Sequence, residues 1–485
     1  MMFAMIIRTK IIATIGPASG DLKTLRKLLR AGVDVCRVNF SHGTPEQHEE
    51  LLANIRTAEA ELGEPVAVMA DLCGPKIRVG PIRGGSMLLA KGQELRIVRE
   101  PVEGGPEGIS TSLPEMIDEV EPGEAILMDD GKLRLEVVQV RAPKEIVCKV
   151  TRGGILSSGK GVNLPQTKLT LSALTEKDRA DVKFIGKACR ARKRAGFDYV
   201  ALSFVRSPED VEELRKLLRA EKCDAHIVAK IEKPQAVQRI RKITDAADAI
   251  MVARGDLGVE MDLPTVPIAQ KRIARLCQEA SKPCIIATQM LETMTENATP
   301  TRAEVSDVAN AVLDRTDAVM LSGETAVGKY PVRAVEMMNE IVSAIQAYHD
   351  EDEQMQRRRH GTEDAEQDAI AHAVQELIRC RKVAAVAVFT VTGGTARILA
   401  KHRLPCPILA LSPSDAAVRR MCLYYGVAAA QQAEPPRHTR GILAMAGEMA
   451  RKKRLARKGQ HIVVISGRPI GQPGSTNTIV VHRVE

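Results

Sequence analysis

Three charged side chains at the ends of apolar runs are spaced to hold a divalent metal ion and to meet developing negative charge. Lys230 and Glu232 stand two apart in AHIVAKIE (225–232), and residues two apart on a strand point to the same side. Asp256 closes the next apolar run, DAIMVARGD (248–256). Glu232 and Asp256 would give an ion two carboxylates and leave its other positions to water and substrate oxygens, which suits Mg2+ or Mn2+. An ammonium beside such an ion makes a site for a phosphate or a developing enolate. The same spacing also fits a plain structural ion pair between Lys230 and Glu232. Other runs end in polar residues as well: Arg37, Asn39, Ser41 and His42 follow one, Asp71 another and Thr288 a third. Gly255-Asp256-Leu257-Gly258 turns into a helix whose free N–H groups suit a substrate carboxylate, although short turns of this kind are common and a lone Thr288 reads equally well as a satisfied barrel hydroxyl.

The elements that must position these residues form a regular series. Eight apolar, β-branched runs occur at 6–16, 32–40, 65–72, 197–204, 225–232, 248–256, 283–290 and 317–324, separated by helix-period stretches such as DLKTLRKLLRAG (21–32) and SPEDVEELRKLLRAE (207–221). Eight strands in this alternation predict a closed (β/α)8 barrel, with an open doubly wound sheet as the alternative; in the barrel, chemistry gathers at the carboxyl ends of the strands. Residues 75–171 read differently, as short alternating runs broken by Gly and Pro, with an Asp-Gly hairpin signal in DDGK (129–132). They predict an all-β lid domain inserted after the third strand. The barrel thus takes 1–74 and 172–350. A charged stretch at 351–368 reads as a linker or helix end, and 351–485 forms a C-terminal α/β domain with strands at VAAVAVFT, CPILALS, QHIVVIS and NTIVVHRV.

Composition narrows the function classes. The 485 residues are 44% hydrophobic and 27% charged, the balance of a globular protein, and no run approaches the length of a membrane span. The opening MMFAMIIRTK has no basic n-region or cleavage site, which points to the cytoplasm. The net charge of +9 is spread along the chain, and six Phe, five Tyr and no Trp make a poor stacking platform, so nucleic acid is not the expected partner. Ten cysteines without a Cys-x-x-Cys spacing read as reduced and packed.

RTKIIATIGPAS (8–19), AGVDVCRVNFSHG (31–43), GPKIR (74–78), GKGVNLP (159–165), IVAKIEKPQAV (227–237), MVARGDLGVE (251–260), ATQMLETM (287–294), the long block 300–331 and STNT (475–478) resemble the pyruvate kinases, in order and over nearly the whole chain. The resemblance implies a barrel, a lid over its mouth, a C-terminal regulatory domain and a homotetramer. It implies Glu232 and Asp256 as metal ligands, Lys230 as the transition-state lysine, and Arg37 beside the transferring phosphoryl group. Gly255, Asp256 and Thr288 would line the phosphoenolpyruvate pocket, with Thr288 on the face where either it or a water relay would protonate the enolate, and His42, Arg78 and Lys160 would meet the phosphates of ADP. A barrel aldolase acting on pyruvate enolate would share the carboxylate pair, but has no use for a nucleotide-facing lid.

Two finer expectations follow from the resemblance. In potassium-requiring members a monovalent cation sits among residues matching Asn39, Ser41 and Asp71, and a glutamate follows the Gly-Pro of GPKIR. Here that place holds Lys76, with Leu72 and Val79 also resembling potassium-independent members, so potassium is not expected to be required; Cys73 matches neither pattern. Thr390-Val391-Thr392-Gly393-Gly394-Thr395 follows a predicted strand, opens a helix and resembles the family's effector loop. It predicts activation by a phosphorylated metabolite, a sugar monophosphate or AMP ahead of fructose 1,6-bisphosphate.

Overall fold

The computed structural model describes residues 7–167, 172–191, 196–355, 366–432, 438–467 and 476–485. Eight parallel strands, Lys10–Ile15, Val35–Asn39, Ala67–Asp71, Tyr199–Leu202, His226–Ile231, Ala249–Ala253, Cys284–Ala287 and Ala318–Leu321, close into a barrel in sequence order, the last pairing with the first. Each of the eight predicted runs supplies one strand. Alternation divides their side chains between two cores. Ile12, Val35, Met69, Val228, Met251 and Ile285 fill the barrel, while Ile11, Ala13, Val38, Val68 and Ile250 pack under the surrounding helices.

The lid lies between the third and fourth strands. Its main sheet runs in the order Ile77–Arg78, Gly161–Asn163, Ala125–Met128, Leu133–Arg141, Glu145–Arg152, Glu94–Val98, with a separate pair formed by Ser86–Leu89 and Gly154–Ser157. The predicted hairpin is present: Met128 pairs with Leu133 across a turn in which Asp129, Asp130 and Gly131 all have positive φ.

The C-terminal sheet has the order Val427–Gln431, Ile408–Ser412, Ala385–Phe389, His461–Gly467, Thr476–Arg483, the last strand antiparallel. Four of these strands match the predicted runs. The fifth, Val427–Gln431, is missing from the sequence reading because VAAAQ has almost no β-branched character; it is held by five register pairs to Ile408–Ser412. The charged stretch is entered by a helix, Pro331–Met355, and left by another, Glu366–Cys380; Arg357–Arg359 lie outside the described residues. This domain seals the amino end of the barrel. Tyr199 donates its hydroxyl to Arg420 O (2.6 Å), Arg403 pairs with Asp317 (2.8 Å), and Arg419 and Arg56 share Asp198. Removing one partner of such a buried pair costs about 3–5 kcal/mol, so these pairs fix the barrel floor. All ten cysteines are free thiols, and all but Cys73, Cys189 and Cys380 are buried.

Candidate active site

Five strand ends converge on one buried cluster at the barrel mouth. Lys230, on the fifth strand, places Nζ 2.7 Å from Ser203 Oγ, 2.9 Å from Glu232 Oε1 and 3.2 Å from Asp71 Oδ1. Arg37, on the second strand, donates from Nε to Asp71 Oδ2 (2.6 Å) and from a terminal nitrogen to Thr14 Oγ1 (2.9 Å). Burial alone would push the Lys230 ammonium toward neutrality, but Asp71 and Glu232 outweigh it and hold its pKa well above the ordinary lysine value. Asp71 is held below the usual carboxylate range: burial opposes this, and Lys230 and Arg37 overcome it. Glu232 moves the other way, raised by burial and by the neighbouring Asp256.

Backbone strain helps aim these groups. Phe204 has φ 55°, and from that conformation its N–H donates to Glu232 Oε2 at 2.8 Å. Thr288 has φ 69°, an uncommon state for a β-branched residue, and its hydroxyl accepts from Gly255 N (2.7 Å) while donating to Ala287 O (2.6 Å). The expectation of free N–H groups at this turn is therefore corrected at Gly255, whose N–H is already bonded. The helix it belongs to, Arg254–Glu260, is fixed through Arg254, which reaches Asp307 and the Thr288 carbonyl. Gly74 opens the lid with φ +67°, and a Cβ there would lie 2.7 Å from the Phe204 ring, so a side chain would disturb the turn that holds Glu232.

Glu232 and Asp256 fit the requirement for a hard divalent ion: only oxygen donors, one carboxylate buried, the other part-exposed, and close enough for Asp256 to raise the Glu232 pKa. The plain Lys230–Glu232 ion pair, the other reading of that spacing, is present at 2.9 Å.

The remaining predicted residues are less concentrated. Asn39 Oδ1 accepts from Ser41 N at 3.1 Å, beside Asp71 on the next strand. Lys76 points into the mouth, but the carboxylate it meets is Asp256, with Nζ 3.7 Å from Oδ1, whereas Asp71 is engaged by Lys230 and Arg37. His42 is exposed in the loop after the second strand. Arg78 donates to Gly159 O (3.0 Å), and Lys160 pairs with Asp129 Oδ1 (2.8 Å), both contacts within the lid. Ser203 and Thr14 escaped the sequence reading. Ser203 was visible as the polar end of the fourth run, while Thr14 carries no signal beyond lying in a strand.

In the C-terminal domain, Thr390 ends a strand region and accepts from Gly393 N (3.0 Å), Gly393 has φ 87°, and a helix runs Gly394–Lys401. Thr392 is exposed, and Thr395 Oγ1 lies 2.9 Å from Thr476 Oγ1, which brings two predicted segments together; Ser475 lies outside the described residues.

Barrel, inserted lid and a rim of paired cations and carboxylates define an enzyme of the phosphotransferase class. The profile described as "Pyruvate kinase, barrel domain" matches residues 6–335, and "Pyruvate kinase, alpha/beta domain" matches 368–482. A pyruvate kinase of Geobacillus stearothermophilus is 43% identical over 477 residues, covering 98% of this chain and 80% of the relative. One from Methylorubrum extorquens is 40% identical over 472 residues, covering 97% and 96%. A crystal structure of a pyruvate kinase from Cryptosporidium parvum superposes with a TM-score of 0.89 at 33% identity, covering 99% of this chain and 96% of that one. The chain belongs to the pyruvate kinase family, and its activity is the family's: phosphoryl transfer from phosphoenolpyruvate to ADP, giving pyruvate and ATP. The family typically uses Mg2+.

Proposed function

We propose that transfer takes place above the Lys230–Arg37–Asp71 cluster, with Glu232 and Asp256 as metal ligands and the lid presenting the nucleotide. The observation that carries this reading is the convergence of two part-buried cations on the buried Asp71 with the buried Glu232 alongside. An oxygen of the ADP terminal phosphate attacks phosphorus, the bond from phosphorus to the enol oxygen breaks, and the loose transition state needs positioning and positive charge. Lys230 and Arg37 supply fixed charge without reorganising. Within the chain alone, their charges are cancelled by Asp71 and Glu232, and Lys76 stands against Asp256. When bound, Mg2+ supplies the surplus positive charge that a phosphoryl group and an enolate need.

Arg37 orients the phosphoryl group, and Gly255, Asp256 and Thr288 line the phosphoenolpyruvate pocket. Because the Thr288 hydroxyl hydrogen is given to Ala287 O, a water relay is the route to the methylene carbon that breaks no existing bond. His42, Arg78 and Lys160 contact the nucleotide phosphates once the Lys160–Asp129 pair opens, and closure of the lid excludes water. We take the working form to be a cytoplasmic homotetramer. Among the described residues, no helix is long and apolar enough to cross a membrane.

Initial rates against phosphoenolpyruvate with ADP and Mg2+ test the activity. Glu232→Gln and Asp256→Asn are expected to raise the Mg2+ concentration for half-maximal rate by about tenfold or more, at least the effect of losing an outer-shell partner. Unchanged Mg2+ dependence in both variants places the metal elsewhere.

Effector control is the finer part of the proposal. Strand, left-handed Gly393 and helix present backbone N–H groups beside Thr390, Thr392, Gly394 and Thr395, an arrangement that suits a phosphate. At subsaturating phosphoenolpyruvate, a sugar monophosphate or AMP is expected to raise the rate more than fructose 1,6-bisphosphate does. Saturation curves that move with none of these compounds refute it.

A further inference from the structure

A second buried cluster joins the lid to the barrel rim, and none of the roles above uses it. Glu260 ends the short helix that begins with Arg254, Gly255 and Asp256, and its side chain is 1% exposed. Its Oε1 accepts from Lys233 Nζ at 2.5 Å and from Asn163 Nδ2 at 2.7 Å. Asn163 belongs to the returning lid strand Gly161–Asn163, directly after Lys160. Lys233 directly follows Glu232, and its ammonium lies 5.8 Å from the centre of the Phe204 ring, the residue whose N–H holds Glu232 Oε2. One carboxylate oxygen therefore touches both the lid strand that carries Lys160 and the residue next to a metal-binding carboxylate.

The distribution of its partners is informative. Both donors land on Oε1, while the buried Oε2 has no hydrogen-bond partner among the described residues. Because Lys233 and Asn163 share that one oxygen, a movement of Lys233 that draws the carboxylate also moves the acceptor that Asn163 holds.

We infer that Glu260 is a positioning residue, a latch through which Lys233 and the barrel rim set the posture of the lid and hence the placing of Lys160 over the nucleotide. The inference rests on the nucleotide-facing reading of Lys160. Breaking the latch at its lid end, Asn163, leaves the phosphoenolpyruvate groups in the barrel untouched, so the effect falls on ADP.

Steady-state kinetics with both substrates varied test it. Asn163→Asp sets a carboxylate against Glu260 and is expected to raise KM for ADP by about tenfold or more, the loss of a charge-assisted hydrogen bond, with KM for phosphoenolpyruvate within about twofold of the parent. Adding Glu260→Gln restores a donor and an acceptor in reversed order, so the double variant is expected to recover most of the ADP affinity, a non-additivity that separate structural damage does not produce. Asn163→Ala serves if Asn163→Asp does not fold, and it should raise KM for ADP in the same direction. Unchanged KM for ADP, equal losses for both substrates, or a double variant no better than Asn163→Asp each overturn the latch. A Lys160→Ala control separates the two levels: if it leaves KM for ADP unchanged, the reading of Lys160 has failed, whereas a raised value with a silent Asn163→Asp sinks the latch alone.

Discussion

Lys230→Met is expected to lower kcat by about 10³-fold, the upper end of what a single preorganised group contributes to charge stabilisation, in a protein that still folds. The ammonium meets Ser203 Oγ, Glu232 and Asp71 within 3.2 Å, and the two carboxylates keep it charged against the pull of burial. Methionine is of similar length and fills the space, but brings no charge to the oxygens of the transferring group. Breaking a buried pair usually costs about 3–5 kcal/mol. Here Asp71 keeps Arg37, and Glu232 keeps the Phe204 N–H, so the loss of stability should stay at or below that range. Lys230→Arg should not rescue the rate, because the planar fork is wider than an ammonium and its charge is more spread. Circular dichroism and protection from thermal unfolding by phosphoenolpyruvate report folding and binding, and turnover within about tenfold of the parent contradicts the role given to this lysine.

Barrel strands were legible for a physical reason. A strand buried on both faces reads as a continuous apolar run, and VCRVN, AVMAD and HIVAKI are interrupted where a polar side chain is delivered to the mouth, with His226 at the amino end of the last as the exception. The ends of those runs accordingly contain Arg37, Asp71 and Lys230, three members of the buried cluster. Val427–Gln431 shows the converse, since alanines fit any element and its strand state depends on pairing with Ile408–Ser412. Contacts between distant parts of the chain were not legible. Asn163 and Glu260 are separated by 97 positions and Lys233 and Glu260 by 27, and no local pattern announces that one oxygen serves both. The occupied N–H of Gly255 is a similar case, because it depends on a left-handed Thr288 that no propensity favours. Lys76 lies between these extremes: its type and its place in GPKIR were readable, but its partner Asp256 was not.

The charge count at the mouth makes potassium dependence the second large effect. Arg37 and Lys230 offset Asp71 and Glu232, and Lys76 stands 3.7 Å from Asp256 Oδ1. On the proposed reading the lysine tethered to the first lid residues, although it pairs with Asp256 and not with Asp71, supplies the charge a free cation would bring, and a monovalent cation entering near Asn39, Ser41 and Asp71 would meet the like charge of Arg37 and Lys230 at short range. Turnover in tetramethylammonium buffer at saturating Mg2+ is therefore expected to rise by less than about twofold when about 100 mM KCl replaces the matched salt, since screening is then equal in both arms. Lys76→Glu removes one positive charge and adds a negative one beside Asp256, a change of two charges in a partly buried site. That variant should lose at least about tenfold in rate in tetramethylammonium, a loss of about 1.4 kcal/mol, and recover with potassium. Lys76→Met tests the sign of the argument: it should lose rate too, but with less recovery, because it supplies no carboxylate to hold the ion. A large potassium activation of the parent enzyme, or a Lys76→Glu variant indifferent to potassium, would remove Lys76 from the role of resident cation and leave it as an ordinary partner of Asp256.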